Sequence, residues 1–209
     1  MMIDMGHTRR HVGRTARTGV AVAVALLVSG CSTGSPPDDE ETPSAESAAL
    51  RVQTVTGAES LDEVARAEVE GAVGDVLSDY VVEGFLGEFP RQDFVRAFES
   101  FTSVAARKAT RDIDLLTAAT VRDATAVRAT ELDARLSFLD EAGEVHGGTA
   151  AVHFTFEATM EDGSTRPLAL DGRFMLEAGD DDSWSIFGYD VTFDDGDESS
   201  AETESEAGS

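Results

Sequence analysis

The sequence predicts an α+β domain in which N-terminal helices pack on a four-stranded, curved antiparallel sheet. Two patterns predict it. From Ser60 to about Leu116, apolar residues recur at helical spacing. From Ala124 to Phe193 the period falls to two, in four runs that each have one apolar face. Helices precede strands, so the economical arrangement lays them on that face. The domain covers residues 49–193, about 145 residues, which suits a single domain.

Leu50 to Val55 reads as a short strand or an extended lead-in. The first helix is expected to start at Ser60, where Ser60 and Glu63 have capping-box spacing and Asp62 adds charge at the positive end. Leu61, Val64, Val69, Val73, Leu77, Tyr80 and Val81 carry its apolar face, and Gly84, Gly87 and Pro90 end it. A second helical stretch follows Pro90. Phe94, Phe98 and Phe101 stand at i, i+4 and i+7, so their rings share one face, as core or as a pocket lining. A third piece, Ser103 to about Leu116, takes Thr102 or Ser103 as its cap. Its Arg107, Lys108 and Arg111 form a basic patch, expected to serve nearby carboxylates.

The strand runs centre on Leu132 to Phe138, Ala150 to Met160, Leu168 to Leu176 and Trp184 to Phe193. Phase changes place bulges near Thr130 and at Phe187-Gly188. Asp162-Gly163 and Gly179 to Asp182 are turns.

Before the domain, Arg9, Arg10, Arg14 and Arg17 precede a nine-residue apolar run, Val20 to Val28, then Ser29, Gly30 and Cys31. A basic segment, a short apolar run and small residues make a secretory signal over residues 1–30. Nine residues fall short of the roughly 20 that a spanning helix needs. Val28-Ser29-Gly30-Cys31 resembles the lipobox of bacterial lipoproteins. The resemblance implies cleavage before Cys31, a diacylglyceryl group on its thiol, fatty chains such as palmitate, and a cell-membrane location on the extracytoplasmic face. Thr8-Arg9-Arg10-His11-Val12 loosely resembles a twin-arginine export signal, so either export route stays open. Two fatty chains anchor stably where one does not. Cys31 is the only cysteine, so the mature domain forms no disulfide and relies on its core.

Residues 31–48 are rich in Ser, Pro and acids and read as a disordered tether. Residues 194–209, with seven acids and no base, read as a disordered tail. The full chain carries 16 bases and 41 acids. Removing residues 1–30 leaves 12 and 40, a formal −28. Such a field repels nucleic acid and anionic lipid. The acid runs at Asp180 and Asp194 lack the alternating spacing of a calcium loop.

Helices followed by a bulged meander closing on Trp184-Ser185-Ile186 resemble the nuclear transport factor 2-like (NTF2-like) and cystatin-like cone. Phe94 to Thr102, before an Ala/Arg-rich helix, also resembles small secreted proteins of actinobacteria. The resemblance implies that acid/base groups of cone enzymes point inward. Here the inward positions are almost all Val, Phe, Leu and Ala, with Tyr80, Trp184 and Tyr189 the polar-tipped exceptions. With Phe94, Phe98 and Phe101 these are the candidate pocket residues, and Cys31 is the lipidation site.

The mature chain has two histidines. His146 lies in a turn, and His153 lies on a polar strand face across from Asp171 or Arg173. They lack a third ligand at zinc spacing. No catalytic residue, metal or cofactor is expected. The expected function is a non-catalytic lipoprotein binding an envelope protein or a small apolar ligand. The alternatives are a cyclase/isomerase-type enzyme using Tyr80, Tyr189 or His153, and a structural accessory domain.

Overall fold

A computed structural model describes residues 46–141, 143–179 and 183–197. The signal peptide, Cys31, the tether to residue 45, the turn at 180–182 and the tail from 198 lie outside them.

The first strand, β1 (Arg51–Thr56), leads to helix α1 (Glu63–Gly84). The expected capping box is not formed. The Asp62 carboxylate accepts from Ala65 N at 2.8 Å and caps the helix, so α1 starts at Glu63. The Ser60 hydroxyl is drawn instead to the Asp140 carboxylate. Val73, Leu77, Tyr80, Val81 and Gly84 form the buried stripe. Gly84 lies against the next segment, close to the Ala97 methyl.

The Phe94–Phe101 stretch is not an α-helix, which corrects the expectation. It is one 3-10 turn, Val95–Phe98, started by an Asp93 carboxylate that accepts from Val95 N. The chain then bridges the sheet edge, with Ile186 N donating to Ser100 O and Thr102 N to Ile186 O. Those two bonds hold it extended, yet Phe94, Phe98 and Phe101 are all buried.

Thr102 caps α2 (Ser103–Ala109) as expected. The predicted third helix is broken after Ala109, and its remainder is α3 (Ile113–Leu116), followed by a 3-10 turn at Ala118–Val121. The Thr110 hydroxyl donates to Ala106 O at 2.9 Å, the side-chain-to-backbone bond that loosens a helix end.

The sheet has five strands, not four: β1, β2 (Ala126–Glu141), β3 (Glu144–Thr159), β4 (Thr165–Ala178) and β5 (Trp184–Asp194), in that spatial order. The four predicted strands form an antiparallel meander. The added strand β1 runs parallel to β2, with Arg51 beside Asp133 and Thr54 beside Leu136. A parallel partner requires a long crossover, and α1 to α3 supply it. The bulge at Thr130 is present, since the register jumps between Ala129 and Glu131. Phe187 is the extra residue of the second, as Gly188 pairs with Met175 and Ile186 with Leu176.

Contacts extend past both expected domain ends. Ala48 N donates to Ala129 O, and Ala129 N to the Ser47 hydroxyl, so pairing along β2 starts before residue 49. Beyond β5, Asp195 and Asp197 gather on the Arg166 guanidinium.

One side of the sheet is apolar throughout. Leu136, Ala150, Phe154, Leu170, Phe174 and Ile186 have no exposed surface. Tyr80 stands at the centre, its ring centroid 5.0 Å from Phe174, 5.8 Å from Phe101 and 6.0 Å from Phe85. Phe85 stacks on Phe156 at 4.4 Å. Each such ring pair adds about 0.5–1.5 kcal/mol beyond the area it buries. The Tyr80 hydroxyl donates to Leu116 O at 2.6 Å, which ties α1 to α3.

Two predictions follow from this packing, both readable by urea denaturation. Phe174→Ala is expected to cost about 3–5 kcal/mol, the usual penalty for emptying a fully buried ring. Tyr80→Phe keeps the ring but strands the Leu116 carbonyl, and is expected to cost about 1–3 kcal/mol.

Candidate functional site

The helices occupy the apolar face, and side chains alternate across the strands. The opposite face is therefore the broad surface that the described residues leave uncovered. Its residues stand in cross-strand rows fixed by the register. One row reads Arg51, Asp133, His153, Asp171 and Thr192 across all five strands. The next reads Gln53, Arg135, Ala151, Arg173 and Asp190.

The first row is a charge ladder. Arg51 forks onto Asp133, with N–O distances of 2.6 and 3.0 Å, and reaches Glu131 at 2.9 Å. The fork holds the Asp133 carboxyl below its ordinary range, the hydrogen bond from Arg51 being the main cause. His153 Nδ1 meets Asp171 Oδ1 at 2.6 Å. This hydrogen bond raises the His153 pKa above 6.5. Partial burial opposes it, and the charges of Asp171, Glu131 and Asp133 add to it. The strand-face histidine thus finds the carboxylate expected opposite it. A neighbouring pair, Arg128 and Glu157, closes at 2.9 Å.

The other end of the face is apolar. Val55, Leu139 and Phe187 are 48 %, 73 % and 49 % exposed, and Met175 is half-buried beside Gly188. Gly147, between Leu139 and Glu177, keeps the surface flat there, while Gly148 lies on the apolar side between Phe138 and Leu176. A Cβ at either would stand under 3 Å from the carbonyl of Leu176 or Ser137.

The sequence-predicted pocket residues go elsewhere. Tyr80, Phe94, Phe98 and Phe101 are packed into the core, where they fill one another's space. Trp184 is half-buried against Phe138 at the end of the sheet. Tyr189 is half-buried, and its hydroxyl donates to Asp112 Oδ2 at 2.7 Å. The four described surface hollows, about 220–490 Å³, are lined by none of the six. Tyr80, Tyr189 and His153 do not converge, since they occupy the core, the α3 side of β5 and the outer face. Burial pushes the Tyr80 hydroxyl well above its ordinary pKa, so it stays a neutral donor.

The basic patch divides. Lys108 is held, as expected, by Asp112 at 2.8 Å, and it lies 3.8 Å over the Tyr189 ring. Asp112 thereby gains an ammonium and a phenol donor, and its carboxyl is pushed down, Lys108 being the larger cause. Arg107 in α2 and Arg111 just beyond it remain exposed. Among the described residues, no group of three or more His, Cys, Asp or Glu side chains is placed to hold a metal.

Compared with known proteins, the chain matches no family model, no curated sequence and no solved structure.

The His153–Asp171 pair sets a pH dependence. A histidine pKa raised on folding stabilises the fold fully below the unfolded value near 6.5. That contribution is lost as pH rises through the folded value. Relative to His153→Gln, the natural chain is expected to lose stability as pH rises above about 6.5. Urea midpoints measured at several pH values check this, and equal midpoint differences at all pH values would refute it.

Proposed function

We propose that the chain is an extracytoplasmic, lipid-anchored protein that acts without catalysis, by binding an envelope protein. The observation that carries the anchor is the order of residues 9 to 31: arginines, a nine-residue apolar run, then Ser29, Gly30 and the only cysteine. A diacylated Cys31 would hold the domain outside the membrane. Residues 32–46 would give it slack to reach neighbours.

The packing around Tyr80 supports a protein partner over a small apolar ligand. The rings that the sequence offered for a pocket lie against one another. A non-catalytic reading draws support from the Tyr80 and Tyr189 hydroxyls, each bonded within the fold, and from His153 standing on the opposite face of the sheet from both. We assign the domain to the NTF2-like/cystatin-like cones. The support is its helices followed by a bulged meander that closes on Trp184-Ser185-Ile186.

Metabolic labelling with an alkyne palmitate tests the anchor. The natural chain, expressed in a bacterium that processes lipoproteins, is expected to take up label and enter the detergent phase. Cys31→Ser is expected to lose both properties. An unlabelled natural chain, or a labelled variant, would contradict the reading.

A further inference from the structure

The outer face carries a charge pattern complementary to itself. On β2, Asp133 and Arg135 are two residues apart, and on β4 so are Asp171 and Arg173. Both strands are antiparallel to β3, so they run the same way, and the two acid–base doublets point in the same direction. The face thus has an acidic row, Asp133–His153–Asp171, beside a basic row, Arg135–Ala151–Arg173. We propose that this face binds a second copy of the chain, through a two-fold axis that crosses the strands between those two rows.

Such an axis lays each copy's β2 on the other's β2 and reverses it. Arg135 then lies over Asp133 of the other copy, Arg173 over Asp171, and Ala151 over His153. Four intermolecular acid–base contacts result. Continuing outward along the strands, Met175 comes over Ala169 and Thr149 over Thr155. The alternative axis, along the strands, sets Arg135 over Arg173 and Asp133 over Asp171. Like charges in contact disfavour it, so the charges select the first.

The size of the face suits a dimer. Strands β2 and β3 have 16 residues each, β4 has 14 and β5 has 11. At about 3.3 Å per residue and about 4.8 Å between strands, the sheet presents roughly 1,000 Å² in plan. A stable interface needs about 800 Å² from each partner. Thr149, Ala151 and Ala169 keep the middle of the face low, so sheets can approach to the usual spacing of about 10 Å. Two features oppose association. The whole chain is formally −25, and several charges are already engaged in-chain: Asp133 by Arg51, Asp171 by His153, and Arg173 by Asp190 at 3.5 Å. Exposed ion pairs add little. The same axis lays Ser137 over Glu131 and Leu139 over the Arg128–Glu157 pair, so the apolar end gains little and the expected dimer is of micromolar strength, with the charges fixing its orientation.

The test uses the full chain in mild detergent, with mass followed by analytical ultracentrifugation as concentration rises. The natural chain is expected to pass from monomer to dimer in the micromolar range. Arg135→Asp/Arg173→Asp makes both rows acidic, and Asp133→Arg/Asp171→Arg makes both rows basic. Each variant alone is expected to stay monomeric, and an equimolar mixture is expected to regain the dimer. Circular dichroism checks that each variant folds. Should a double variant fail to fold, Ala151→Glu, a single exposed substitution that sets an acid between Asp133 and Asp171 of the other copy, is expected to weaken the dimer at least tenfold. A natural chain that stays monomeric would overturn the proposal. So would a dimer that survives these changes, or a mixture that does not re-associate.

Discussion

The Tyr80 hydroxyl, buried and bonded to the Leu116 carbonyl, joins the long helix to the short segments that cross back over the sheet. A buried hydroxyl without a partner is costly, so the ring's place in the core and α3's place above it are set together. Phe85, Phe101 and Phe174 surround that ring, and each belongs to a different part of the chain. Phe101 can stand there because the sheet edge at Ile186 captures the backbone on either side of it. The irregular path from Phe94 to Val121 is thus the route that delivers apolar side chains to one centre.

The strands were legible in the sequence because each carries a period of two on a half-buried surface. Even the bulges at Thr130 and Phe187 showed as phase shifts. The helices between Phe94 and Leu116 were harder to read. Three phenylalanines at helical spacing look alike whether a helix or a bonded sheet edge presents them, and Ile186 decides between the two from 85 residues away along the chain from Phe101. The start of α1 was misplaced because Ser60 and Asp62 both offer a capping oxygen, and Asp140, supplied by β2, occupies Ser60. In β1 the alternation covers only six residues and the partner strand is parallel, so its pairing was invisible locally.

The outer face was legible in part. Strand phase set either Asp171 or Arg173 opposite His153, and the register selects Asp171. The row that continues to Asp133 and Arg51 was not, because it depends on registers set by the Thr130 bulge and by β1. The candidate pocket residues had a related ambiguity, core or pocket lining, because sequence spacing shows which side chains point inward but not whether they leave space between them. Here Tyr80 and the phenylalanines close on one another, and chemical variety lies on the opposite side of the sheet.

The rings around Tyr80 fill the space between the helices and the sheet. A crystal structure determined under xenon pressure tests this filling directly, because xenon enters dry apolar cavities of about 150 Å³. No xenon is expected among Tyr80, Phe85, Phe101 and Phe174. An ordered xenon atom at that centre would reveal an interior cavity, contradict the filled core, and return a small apolar ligand to first place.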